Sequence, residues 1–310
     1  MQLRAHLFIW VVSATVIPLL VLGLGATYLG ERAHREETSQ NIFNQLNNLT
    51  AEVDRHMDAE RAMVRGLARV PVVREYLPVL AAADGHRRHP EFEERGDELA
   101  TFLEAFQGTL PTGYTIRILD HEANTLVKVR DGERSRARYS GRGGPPLVER
   151  MVLDPWFPAR LNNLEPGQAH HLLLPQSQRR QDMAVEPPLL DTVVPLSHED
   201  RIVGHLAVSP GGRGVERIFD FNTALPEGRL LVAEIHPDVP ERNGMVLYDG
   251  HGEQRFTHWR ARLLTLEDEG LDALREAVLH RPHGRVPDDP DFHFVEYYPY
   301  RDQLASWVVA

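Results

Sequence analysis

The stretch GYTIRILDHEANTLVKVR, Gly113 to Arg130, brings three side chains with recognition chemistry close together: Arg117, Asp120 and Lys128. A guanidinium holds a carboxylate as a two-pronged fork, and an ammonium holds it as a point charge. Asp120 could face a ligand, but an aspartate at the end of a strand more often starts a turn by bonding the backbone just ahead of it. The flanking residues alternate. Tyr114, Ile116 and Ile118 fall on one side, Thr115, Arg117 and Leu119 on the other, and Leu126, Val127 and Val129 resume after Asn124. A period of two reads as strand, tight turn, strand. Arg117 and Lys128 then lie on a solvated strand face or in a pocket, and alternation alone is compatible with both.

Other groupings are weaker. HRPHGRVPDDPDFH gathers His280, His283, Asp288, Asp289, Asp291 and His293. These are metal-ligand types, but their spacing matches no helical zinc pattern and the run is proline-rich, so a solvated loop without metal is expected. His170 and His171 would point to opposite faces of a strand and could not chelate together. The sequence has no Gly-x-Ser-x-Gly, no phosphate loop and no His-Glu-x-x-His. It also has no kinase, cyclase or methyl-accepting signature. SPGGRG, Ser209 to Gly214, lacks dinucleotide-loop spacing and reads as an interdomain turn. Neither a catalytic residue nor a cofactor is expected. The chain has no cysteine, which excludes a disulfide or a thiolate metal site. A net charge of -11 without a basic stripe argues against nucleic-acid binding.

The elements that would position these residues begin with LFIWVVSATVIPLLVLGLGATYL. Leu7 to Leu29 is free of charge, and about 20 apolar residues span a bilayer. A cleaved signal peptide is the rival, but its apolar core is usually only about 7–15 residues. Arg4 and the amino terminus precede the run, and mixed charges follow it, so the N-terminus is expected in the cytoplasm. Ile42, Leu46, Leu49, Val53, Met57, Val64 and Leu67 then form a helical stripe. It suits a long stalk or a docking helix, ended or kinked by Pro71. VVREYLPVLAAA and DELATFLEAFQGTL read as further helices. After the hairpin, LVERMV reads as a short helix. AHHLLLPQSQ, LLDTVVPLS and RIVGHLAVS read as strands, and GVERIFDFNTAL as a helix. RLLVAEI, GMVLYD and EQRFTHW are strands, LDALREAVLH a helix, and FHFVEYYPY and LASWVVA strands. The order of helix then sheet thus occurs twice after the stalk. No apolar run follows SWVVA. A receptor is expected to continue with one, and a singly anchored protein is not.

In this order of elements the chain resembles the double Cache, PAS-like sensor region of bacterial membrane receptors of the histidine kinase, diguanylate cyclase and chemoreceptor type. The resemblance is most specific at IRILD, Ile116–Asp120. It is also specific across LLLPQSQRRQDMAVEPPLLDTVVPLSHEDRIVGHLAVS, where Pro187, Pro188, Pro195 and Gly204 stand where that pattern has them. The end, YYPYRDQLASWVVA, is similar to the family's last strand. There are departures. Ala123 replaces the usual turn glycine, with Asn124 expected to take the left-handed conformation. Thr125 replaces a glutamate, and Lys128 replaces an arginine.

The resemblance implies an α+β protein with an N-terminal transmembrane helix, a long stalk helix and two PAS-like antiparallel-sheet units. The segments would be 1–30, 31–112, 113–213 for the membrane-distal unit and 214–310 for the membrane-proximal one. It implies a non-enzymatic sensor in the inner membrane, with its bulk periplasmic, dimeric through the stalk and in contact with no nucleic acid. A small anionic or zwitterionic ligand would meet Arg117, Lys128 and Arg130 as cations and Asp191 as the anion, with Tyr139, Trp156 and Phe157 as walls. Asp191 stands among apolar neighbours, where a buried charge needs a partner. A membrane-tethered adaptor that binds a partner protein and no small molecule is the alternative.

Overall fold

The computed structural model describes residues 2–84, 88–110, 113–139, 145–149, 161–173, 190–210, 212–222, 228–237, 240, 242–252, 254–256, 264–287, 289–300 and 305–310, with the backbone alone at 2–9, 11–18, 21, 190, 290 and 291. One helix, α1, runs through Gln2–Leu67 without a break. At about 1.5 Å per residue it is about 100 Å long. Among the described residues no helix is long and apolar enough to cross a membrane, and many side chains of the apolar run Leu7–Leu29 lie outside that set. From Ile42 onward the predicted stripe is a seam. Leu46, Leu49, Val53 and Met57 pack into one core, and Val64 and Leu67 into another. This half of the helix is therefore a spine on which two sheets are docked.

Pro71 opens α2 (Pro71–Glu75), a position where its missing N–H costs nothing. Two further helices follow, α3 (Leu77–Asp84) and α4 (Phe92–Gln107). The first sheet holds β1 (Thr115–Asp120), β2 (Thr125–Arg130), β3 (Glu133–Arg134), β4 (His170–Leu173), β5 (Leu190–His198) and β6 (Arg201–Ser209) in the order β3-β2-β1-β6-β5-β4. Its pairs are all antiparallel. Then come α5 (Arg213–Asn222) and the second sheet. That sheet holds β7 (Leu231–Ile235), β8 (Met245–Asp249), β9 (His283–Val286), β10 (Asp289–Tyr297) and β11 (Ser306–Val309) in the order β8-β7-β11-β10-β9. Helix α6 (Asp272–His280) precedes β9. In both sheets the opening hairpin joins the closing strand through its own first strand, so the two share a topology despite having no sequence repeat.

The alternation of β1 decides which way the first sheet faces. Ile116 and Ile118 pack with Val127, Val129, Leu206 and Val208 against α1 to α4. Leu119 faces the other way, with Leu161, Leu164, Leu172, Val193 and Ala207. Gly204 sits where a Cβ would meet the Leu119 carbonyl at 2.4 Å, so this crossing of β6 and β1 admits only glycine. In the second sheet Val232, Val295, Trp307 and Val309 face α1 and α5, and Ala233, Phe294 and Val308 face α6. One tyrosine from each half bonds the spine. Tyr114 donates to Glu60 at 2.8 Å, and Tyr297 donates to Asp54 at 2.8 Å.

Four expectations need correction. Leu147 and Glu149 are not helical; they make isolated bridges to Tyr139 and Thr125, whose backbone hydrogen bonds take up the groups a helix would have used. The His283–His293 run is no loop: it forms the β9–β10 hairpin. Gln254–Phe256 form no strand of the second sheet. In the β1–β2 turn Ala123, with φ 64°, takes the left-handed conformation in place of Asn124. Asn124 instead caps Asp120 through its side-chain nitrogen at 3.0 Å.

Candidate ligand-binding site

Across the face of the first sheet that looks away from α1 to α4, polar side chains line up on four adjacent strands. Arg117 on β1 and Lys128 on β2 are register partners. On β6 and β5, Thr192 pairs with Val208, which sets Asp191 opposite Ser209. The Arg117 Nη1 donates to Ser209 Oγ at 3.0 Å and stands 3.8 Å from Asp191 Oδ1. Ser209 Oγ in turn donates to Asp191. Lys128 Nζ donates to Glu149 Oε1 at 2.6 Å, and Glu149 Oε2 lies 3.9 Å from Arg117 Nε. The result is a ladder of two cations, two carboxylates and a hydroxyl. Its side chains are between 6 and 28 % exposed, buried enough that each charge needs its partner.

Glu149 is held over this ladder from outside the sheet. The Thr125 N–H donates to its carbonyl at 2.9 Å, and the Thr125 hydroxyl lies 3.5 Å from Oε2. Burial opposes its charge, but the Lys128 ammonium outweighs that through charge and hydrogen bond, with help from Arg117. The carboxyl is held below its ordinary range, so it is ionised at neutral pH.

Of the predicted site residues, Arg117, Lys128 and Asp191 come together. Arg130 does not join them: it is half exposed and pairs with Asp131 at 3.6 Å. Tyr139 is 45% exposed, and its backbone pairs with Leu147. Tyr139 and Arg130 thus stand outside the ladder. Trp156 and Phe157 lie outside the described residues. Two members were missed in the sequence. Ser209 stands at the end of the strand read in RIVGHLAVS and at the start of the turn read in SPGGRG, and Glu149 in the helix read in LVERMV. Asp120 serves the turn, as expected: its Oδ1 accepts from the Glu122 and Asn124 N–H groups at 2.9 and 2.8 Å.

Two histidines fasten the surroundings. The His171 ring bonds the Met57 carbonyl of α1 at 3.3 Å and the Thr192 hydroxyl at 3.1 Å. The His205 ring bonds the Leu161 carbonyl at 3.1 Å, so it holds the Leu161 segment against the same face of the sheet that carries the ladder. Burial pushes both down to about 4, with Arg61 adding to the effect at His171. Both are neutral in the folded protein at neutral pH.

The second sheet shows no comparable ladder among the described residues. Two of its arginines are closed by carboxylates. Arg242 bonds Glu234 through Nε at 2.7 Å and through a second nitrogen. Arg229 bonds Asp249 at 3.0 and 2.8 Å and also reaches Glu269. A cleft of about 420 Å³ lies between the end of α6 and the sheet, lined by Leu279, Arg281, Glu296, Tyr298 and Ser306 among others. It is open, with Leu279 61% and Tyr298 46% exposed.

No family model matches the sequence, and no curated protein is significantly similar to it. Solved structures do match the fold. The domain of a sensory box/GGDEF family protein from Vibrio parahaemolyticus aligns with a TM-score of 0.61 at 11% identity, over 89% of this chain and 96% of that one. The extracellular domain described as that of the histidine kinase vpHK1S-Z8 gives 0.56 at 10% identity, over 90% and 92%. The sensor domain of the V. cholerae histidine kinase DctB gives 0.51 at 13% identity, over 89% and 97%. The chain therefore shares its fold with these three domains, one described as extracellular and one as a sensor domain.

Proposed function

We propose that this chain is the extracytoplasmic ligand-sensing region of a membrane receptor of the double Cache type. The observation that carries the reading is the Glu149–Lys128–Arg117–Ser209–Asp191 ladder on the sheet face left free by the helices. A scaffold has no need of four charges gathered on a half-buried sheet face, and partly desolvated cations there suit a carboxylate. The ligand is a small anion or zwitterion, an amino acid or a carboxylate. Leu7–Leu29 anchors the chain in the inner membrane with the N-terminus in the cytoplasm and the bulk periplasmic. Residues 113–213 form the membrane-distal unit and 214–310 the proximal one. Two copies associate along α1, and the output module lies outside this sequence.

Binding draws the first sheet around the ligand and shifts α1 by about an ångström or two, as in other helix-shift switches. The free energy available is the ligand's differential affinity for two states. The test is a thermal-shift screen of the purified full chain with amino acids and carboxylic acids. A binder at about 100 times its Kd adds about 2.7 kcal/mol of stability, and Arg117→Ala with Lys128→Ala should abolish that gain. A chain that no such compound stabilises returns the reading to a tethered adaptor.

A further inference from the structure

We infer that Glu149 is a tethered carboxylate sitting where an incoming carboxylate would bind, so that a ligand enters this site by exchange and the site selects molecules carrying both a carboxylate and an ammonium group. The inference rests on the sensing reading above and names the ligand class.

Glu149 reaches the ladder from a segment that belongs to no strand, held to β2 by a single bridge at Thr125. Its two oxygens already contact both cations: Oε1 is 2.6 Å from Lys128 Nζ and Oε2 is 3.9 Å from Arg117 Nε. The second contact is too long for a hydrogen bond. Arg117 Nε is buried and has no hydrogen-bond partner, so the arginine fork is aimed at a carboxylate and only partly filled. A free carboxylate, unconstrained by the chain, can approach that fork closely. Buried donors of this kind normally find a partner.

The charge balance then sets the class. Among the described residues, Arg117 and Lys128 are matched by Glu149 and Asp191. A simple carboxylate would bring a third negative charge to two cations in a half-buried place. Its binding is opposed by like-charge repulsion from Glu149, which acts as a built-in rejecting element. A molecule that also carries an ammonium keeps the balance. Its carboxylate takes the cations, and its ammonium meets the displaced Glu149 or Asp191.

The experiment is calorimetric titration of the full chain with propionate and with L-alanine, in the wild type, in Glu149→Gln and in the double variant Arg117→Ala/Glu149→Gln. Propionate affinity should rise about tenfold in Glu149→Gln, the scale of one charge-assisted contact. L-alanine affinity should not rise, and the double variant should lose the propionate gain. Glu149→Asp, which keeps the charge and shortens the reach, should show a smaller rise and serves if the glutamine variant does not fold. No propionate gain in either variant overturns the tether, whatever the wild type binds. A gain that survives Arg117→Ala overturns it too, because the binding is then elsewhere. Equal gains for both probes overturn the selection of class. A wild type that responds to amino acids while Glu149→Gln gains nothing leaves the sensing reading standing and removes the tether alone.

Discussion

Arg242, beside the second sheet, meets Glu234 through two nitrogens, one at 2.7 Å. Arg117, on the first, gives one nitrogen to a serine and stands 3.8 and 3.9 Å from its two carboxylates. The sheets have the same topology, and these two guanidinium forks differ in how completely they are filled. A filled bidentate fork with a fully buried carboxylate is a structural clasp. A partly filled fork on a half-buried face is a place where a partner can be exchanged. Counting ion pairs would rate the two sites alike, and only their geometry separates them.

The comparison is most easily broken by removing the clasp. Arg242→Ala leaves the Glu234 carboxylate, 0% exposed, without its counter-ion. Unfolding by denaturant should show a loss of about 3–5 kcal/mol, and a loss under about 1 kcal/mol would mean the pair is no clasp. Acid should separate the sheets next. His171 and His205 belong to the first, and burial depresses both to about 4. Between pH 6.5 and 4 the unfolded chain binds protons that the folded one refuses, so their contribution is whole above pH 6.5 and falls as pH drops. At pH 5 the loss is about 2 kcal/mol for each histidine. Amide hydrogen exchange should therefore show the first sheet opening before the second as pH is lowered from 7 to 5, and the order should vanish in a His171→Gln/His205→Gln variant. The smallest effect belongs to Lys128→Arg. Restoring a fork beside Glu149 should raise the melting point by no more than the equivalent of about 1 kcal/mol. It should also weaken amino-acid binding by holding Glu149 more firmly; calorimetry that finds tighter binding would contradict the exchange.

Much of this was legible in the sequence because period and punctuation are local. The Ile42–Leu67 stripe became the seam on α1, and the alternation of Thr115–Asp120 set which residues face the helices. Arg117, Lys128 and Asp191 could be named because a charged residue inside an apolar alternation stands out. Glu149 could not, since its role comes from a bridge across 24 residues to Thr125, and no local period records such pairing. The same holds for the His283–His293 run. Proline and aspartate argued for a loop, yet β10 extends through them because its far end is locked to Trp307, Val308 and Val309 of β11. The left-handed Ala123 was missed because Asp120 accepts hydrogen bonds on both sides of it and fixes the turn whatever residue stands there.

The unbroken course of α1 sets an angular condition on the molecule. Met57, the last residue of the seam against the second sheet, and Val64, the first against the first sheet, are separated by two helical turns less about 20° of azimuth. Both sheets therefore hang on one side of the rod, like two flags on a pole. With no joint between them, the pole cannot turn one flag without turning the other. Adding a single residue between Met57 and Val64 would swing the flags apart by about 100°, whereas adding a heptad would leave them nearly aligned. A rotation the first sheet imparts to the rod would meet the second sheet before it reached the N-terminal end.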